Sequence, residues 1–234
     1  MRYLIKREIS NYFSTPFGFV FLGIFLLLSG LSFVTYNLVG GNGDLAGMFS
    51  LLGSMSFMVF PILTMRLFSE ERRSGTEQLL LTSRLTIPQI VLGKFLAAVL
   101  VLLAALAVTL VYVMIIGVYG YPNWGGIFAS YLGYLLLSTA MIAICTLTSS
   151  LAENQVTAAV LSFGALFVLV MMSSFSRNLQ IPVVADILSA LAVTTRYDEF
   201  TRGIFRPGPV AYYLAYTGAA LFLTVKNMQL RTLR

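Results

Sequence analysis

The chain has 234 residues, 58% of them hydrophobic and 10% charged, whereas an ordinary soluble domain carries about 25% charged residues. A mean hydropathy of +0.88 leaves too little polar surface to face water, so the solvent of this chain is lipid. With no histidine, one cysteine and nine carboxylates, zinc centres built on histidine, Ser/His/Asp triads, Cys/His nucleophiles and disulfide frameworks are excluded. The net charge of +6 would point to nucleic acid in a soluble protein. In a membrane protein it is read as sidedness.

A hydrocarbon core about 30 Å thick is crossed by about 20 helical residues. Uncharged runs of that length predict an all-α integral membrane protein, one domain over 1–234 with six spans. Ahead of the first, residues 1–15 place Met1, Ile5, Ile9, Tyr12 and Phe13 on one helical face and Lys6, Arg7, Ser10 and Asn11 on the other. That is the pattern of a basic amphipathic helix lying in the cytosolic interface. Span 1 covers 17–39 behind the helix-start signal Ser14-Thr15-Pro16. Its length, and the lack of a small-x-small site after it, favour a retained span over a signal peptide. Span 2 covers 47–67, with Pro61 expected to kink it.

The loop Arg66–Lys94 follows. Ser74 and Glu77 fit a capping box, so a short helix is expected after Gly75, carrying Leu79, Leu80 and Leu81. Three consecutive leucines do not suit a solvated helix, and on composition alone docking on the membrane and docking on a partner fit equally well. Thr86 with Gln89 repeats the box and starts the third span. Spans 3 and 4, 93–117 and 127–151, form a hairpin about the turn cluster Tyr119-Gly-Tyr-Pro-Asn-Trp-Gly-Gly126. Span 5 covers 155–175 and span 6 covers 208–226. Between them Val183, Val184, Ile187, Leu188 and Leu191 recur at helical spacing, as in a short extracytoplasmic helix resting on the outer leaflet.

Lysine and arginine set the orientation. Arg2, Lys6, Arg7, Arg66, Arg72, Arg73, Arg84, Lys94, Lys226, Arg231 and Arg234 fall on one side of a six-span chain, against Arg177, Arg196, Arg202 and Arg206 on the other. The excess predicts both termini in the cytoplasm. No span holds Asp, Glu, Lys or Arg in its middle, which disfavours proton- or sodium-coupled transport. The adaptable or mildly polar positions are Ser29, Ser32 and Thr35 in span 1, Ser54, Met55, Ser56 and Met58 in span 2, and Met171, Met172 and Ser173 in span 5. They are candidate pathway-lining residues, although such residues commonly serve only to pack helices. A pathway lined this softly suits an amphiphile or an extended polymer better than an inorganic ion.

Four segments together resemble the permease subunits of type-2 ABC exporters. They are Ile5-Lys-Arg-Glu-Ile-Ser-Asn-Tyr-Phe-Ser-Thr-Pro-Phe17 with the Phe/Leu-rich span ending in Ser29-Gly30; Glu70-Glu-Arg-Arg-Ser-Gly-Thr-Glu-Gln-Leu-Leu-Leu-Thr-Ser83 running on to Gln89-Ile-Val-Leu-Gly-Lys94; Ser149-Ser-Leu-Ala-Glu-Asn-Gln155; and Phe200-Thr-Arg-Gly-Ile204 with Tyr212-Tyr-Leu214. The last pair resembles the branch of gliding-motility (GldF-like) and copper-enzyme-maturation permeases. Arg84 stands where that family usually has proline, and Arg206-Pro-Gly-Pro209 replaces a more acidic segment before the last span.

The resemblance implies a permease half of a bacterial or archaeal plasma-membrane exporter. It would pair with a second copy or a homologous permease and be driven by two copies of a separate ABC ATPase. An auxiliary membrane or periplasmic protein is a further expected partner; nucleic acid is not. The ATPase-coupling residues it implies are Glu70, Glu71, Ser74, Gly75, Thr76, Glu77, Leu79, Leu80 and Leu81, with Glu153 from the second cytosolic loop. No cofactor is expected in this chain, ATP and magnesium belonging to the partner: Gly93-Lys94 lacks the earlier glycine and the following Ser or Thr of a phosphate-cradling loop. Catalysis is therefore not expected here either. Glu70-Glu71 superficially resembles the paired glutamates of intramembrane prenyl-protein proteases, but those also need histidine. The alternative reading is a non-transporting membrane subunit that couples ATP hydrolysis to mechanical work or to assembly of an envelope complex.

Overall fold

The computed structural model describes residues 1–73, 75, 85–178, 188, 190, 192–201, 203 and 206–232. Every regular element among them is helical: α1 Arg2–Ser14, α2 Pro16–Phe33, α3 Ala46–Thr64, α4 Ser69–Arg73, α5 Ile87–Tyr119, α6 Trp124–Leu151, α7 Gln155–Asn178, α8 Tyr197–Thr201 and α9 Pro207–Thr232. Helix α2 runs on into a π-helical turn, Val34–Val39. Six helices are long and apolar enough to cross a membrane, as the uncharged runs predict.

Local chemistry sets the helix ends. Pro16 stands at the first position of α2, where a missing N–H costs nothing. Gln89 reaches back to accept from the Thr86 backbone N–H at 3.2 Å, so the expected box does open α5. At 33 residues α5 is about 50 Å long, some 20 Å more than a bilayer core needs. Asn123 caps α6 by accepting from Gly126 N at 3.2 Å.

Helix α6 is the central rod. It packs against α3, α7, α8 and α9, and its middle, from Leu137 through Cys145, contains an unbroken buried run from Ala140 to Cys145. A helix apolar on every side belongs inside a bundle, and the small residues Ser130, Gly133, Ser138, Ala140 and Ala143 let its neighbours close on it. Hydroxyl pairs tie the spans together: Ser56 with Tyr134 at 3.0 Å, Thr109 with Tyr131 at 3.0 Å and Thr148 with Ser162 at 2.5 Å.

One end of the bundle holds α1, α4, the foot of α5, the C-terminal end of α6 and the end of α9. The other holds the α5–α6 turn, α8 and the start of α9. Helix α1 is amphipathic, but its inward face is Leu4, Glu8 and Tyr12. Ile5 and Ile9 are half-buried, and Met1 and Phe13 of the expected apolar face are exposed. A carboxylate lies inward because a buried cation lies opposite it. Of the expected outer helix, Val183, Val184, Ile187 and Leu191 lie outside the described residues, and Leu188 is helical.

Candidate functional site

Helix α1 lies across the foot of α5 because Gly93 offers no side chain. A Cβ built there would stand 2.7 Å from Leu4 Cδ2, a distance at which one helix would have to give way. One turn along α1, Glu8 meets Lys94. A further turn on, Tyr12 donates from its hydroxyl to the Leu63 carbonyl at 2.7 Å, fastening α1 to the end of α3. Burial, with the nearby Glu8 carboxylate adding to it, pushes the Tyr12 phenol well above its ordinary range.

Lys94 is 1% exposed. Its ammonium donates to the Leu67 carbonyl at 2.5 Å and approaches Glu71 Oε1 at 3.0 Å and Glu8 Oε1 at 3.4 Å. It also lies 5.3 Å from the centre of the Phe68 ring. An ammonium has three donors, and here they address three elements: the turn after α3, α4 and α1. Arg7 closes the cluster, its Nη2 2.7 Å from Glu8 and 2.8 Å from Glu71. Partial burial lowers the affinity of the Arg7 guanidinium for its proton, the two carboxylates outweigh that, and its pKa is raised. Two cations and two anions balance, which is what makes charge at this depth tolerable.

A second set of contacts flanks the first. Arg66 forms a two-point ion pair with Glu70, with Nε at 2.6 Å from Oε2, and its guanidinium covers the Phe17 ring at 4.4 Å. Arg72 donates to the Ala152 carbonyl at 2.8 Å, and Phe68 N to Ser149 Oγ at 3.3 Å. Asn227 and Arg231 of α9 donate to the carbonyls of Ser150, at 3.2 Å, and Leu151, at 3.1 Å. The carbonyls at the end of α6 are thus capped by side chains of α4 and α9, where donors and cations suit the negative end of the helix.

Of the residues expected to couple to a partner, Glu70 and Glu71 stand in these ion pairs, and Glu153 is exposed beside Ala152. Gly75, exposed and with φ +71°, closes the turn after α4 by donating its N–H to the Arg72 carbonyl at 3.2 Å. Ser74, Thr76, Glu77, Leu79, Leu80 and Leu81 lie outside the described residues. The expected pathway residues divide into two groups. Ser29 and Ser32 are buried, bonded to their own helix and, for Ser29, to Tyr112 at 3.2 Å; Thr35 is exposed and bonded to Leu31 O. Ser54 and Met171 meet, with Ser173, in a groove of about 260 Å³ between α3 and α7. Met55 and Met172 are half-buried on the same two helices, and Met58 is exposed.

Sequence reasoning passed over Glu8, Arg7, Lys94 and Arg72 as partners. A carboxylate on an otherwise basic helix, and a lysine directly before a long apolar run, were the available signals. Neither identifies the other across 86 positions. The described residues gather no group of three or more His, Cys, Asp or Glu able to hold a metal.

A family model described as "ABC-2 family transporter protein" matches residues 33–223, from the end of span 1 to within α9. No curated protein matches the chain.

Proposed function

This chain belongs to the ABC-2 transporter family, and from that membership of a transmembrane permease we propose that it is one half of an ABC exporter in a bacterial or archaeal plasma membrane. Two permease chains pack side by side. Two copies of a separate ATPase dock on the segment Ser74–Ser83 and reach the second loop at Glu153. Both termini face the cytoplasm, on the side that carries the excess of lysine and arginine.

The observation that carries this reading is the joining of the two loops. Arg72 bonds to Ala152 and Phe68 to Ser149, so the residues that lead into 74–84 share a foundation with the α6–α7 connection. A partner pressing on one would bear on both. The groove lined by Ser50, Ser54, Phe57, Met171, Ser173 and Asp198 supports a pathway whose lining is apolar and hydroxyl but for one carboxylate, suited to an amphiphile or an extended polymer. Phe200-Thr-Arg-Gly-Ile204 and Tyr212-Tyr-Leu214 favour the branch of gliding-motility and copper-enzyme-maturation permeases.

The test is Leu80→Asp. If the leucines are buried against the ATPase, an unpaired carboxylate there must be desolvated. Membrane insertion should persist while co-purification of the ATPase is lost. Full association and full activity in carboxylate variants of Leu79, Leu80 and Leu81 would remove the docking surface from this segment.

A further inference from the structure

We infer that Lys94 is a positioning residue that makes α1, α4 and the foot of α5 one lever, so that movement of the segment 74–84 is delivered to the N-terminal helix and span 1 as well as to spans 2 and 3. The inference rests on the coupling role proposed for that segment and assigns the next link in the chain of force.

The geometry points to it in three ways. First, Lys94 spends its donors on separate elements: the Leu67 carbonyl at 2.5 Å, Glu71 of α4 at 3.0 Å and Glu8 of α1 at 3.4 Å. Any of these that moved away alone would leave a buried ammonium one partner short. Second, α4 ends one residue before the segment begins, so Glu71 lies where a push on that segment arrives first. Third, α1 is held along its length, on α5 at two points and on the end of α3 at a third, rather than at a single point. Leu4 fills the space at Gly93, Glu8 meets Lys94, and Tyr12 reaches Leu63 O. Only Thr15 separates α1 from span 1. A rigid α1 would therefore rotate or shift span 1 with it. A lipid-floating amphipathic helix would need none of these contacts.

The reporter is a cysteine in the groove between α3 and α7, Ser54→Cys, labelled by a maleimide. Native Cys145 is fully buried and does not compete. The permease is reconstituted with the ATPase that co-purifies with it, and the labelling rate is compared with and without ATP plus vanadate. In the parent the nucleotide should change the rate several-fold. Glu8→Gln/Lys94→Met removes one anion and one cation together and leaves Arg7 paired with Glu71 at 2.8 Å. It should keep the ATPase bound and lose the nucleotide response.

A second pair of variants tests rigidity. A Cβ on Gly93 would lie 3.9 Å from Leu4 Cβ, within the span of a disulfide. Leu4→Cys/Gly93→Cys, oxidised, should keep the parent's response, because α1 and α5 already travel together. Loss of the response on oxidation and its return on reduction would show α1 sliding over α5 and overturn the lever. So would a full nucleotide response in Glu8→Gln/Lys94→Met, even if that variant melts at a lower temperature. The coupling reading fails separately: a parent that binds its ATPase yet never responds to nucleotide, or a Leu80→Asp variant that binds and responds normally, counts against the docking segment.

Discussion

The two ends of the bundle are closed by different chemistry. At the end that carries both terminal helices, charge does the fastening: Lys94, Glu8, Glu71 and Arg7 form a balanced cluster, and arginines cap the end of α6. At the other end, aromatic bulk fits against bare backbone. Tyr197 lies against Gly53 and Phe200 against Gly133, while the Tyr197 hydroxyl donates to Phe49 O at 2.9 Å and that of Tyr213 to Val193 O at 2.6 Å. A charge cluster is strong only while complete, since removing one member strands another. An aromatic plug is graded, and each missing contact costs its own share. The first suits a joint that must move as a unit, and the second a seal that can yield locally.

The sharpest way to break this contrast is Lys94→Met. It removes the buried ammonium that faces Glu8 and Glu71, and breaking a buried ion cluster in this way costs about 3 kcal/mol. The melting temperature in nanodiscs should fall clearly, by nearly the same amount at low and high salt, because Lys94 is 1% exposed and ions cannot screen it. Glu71→Gln/Lys94→Met should recover part of the loss, giving a non-additive cycle. An additive cycle would mean that the cluster is a set of independent contacts and that the two ends do not differ in kind.

At the other end, Gly133→Val is the matching test. The added Cβ would lie 2.4 Å from Phe200 Cβ, so α8 must be displaced, at about 1–3 kcal/mol for an overpacked site. Adding Phe200→Ala should return some of the stability by making room. If Gly133→Val leaves the melting temperature unchanged, α8 is not seated against α6.

The six spans were legible in the sequence because a bilayer penalises charge so heavily that uncharged runs mark the crossings. The start of α5 was legible too, since Thr86 and Gln89 are three residues apart and act locally. The cluster was not. Glu8 and Lys94 meet across 86 positions, and each, taken alone, reads as an ordinary solvated charge at a span's edge. The same limit applied to α1: its wheel put Met1, Ile5, Ile9, Tyr12 and Phe13 on the apolar face, of which only Tyr12 is buried, whereas the observed buried face of Leu4, Glu8 and Tyr12 is centred on Glu8 because Lys94 and Gly93 receive it there. The hydroxyls of span 1 were ambiguous for a different reason. Composition cannot say whether a serine lines a path or bonds to its own helix, and Ser29 and Ser32 do the latter.

The smallest expected effect is also the most informative about the surroundings of the aromatic seal. Tyr213→Phe removes the donor to Val193 O and almost nothing else, because the ring stays in contact with Phe200 and Tyr212. If water reaches the Val193 carbonyl once the hydroxyl is gone, the loss should be about 0.5 kcal/mol, close to the average for a hydrogen bond between helices in a membrane protein. If the carbonyl stays dry, it is left without a donor and the loss should rise towards 1–3 kcal/mol. Val193 is fully buried in the present packing, so the larger value is expected, and the melting temperature should drop without any change in maleimide labelling at Ser54→Cys. A drop with faster labelling would mean that the seal opens as a whole, and the graded behaviour assigned to this end would be wrong.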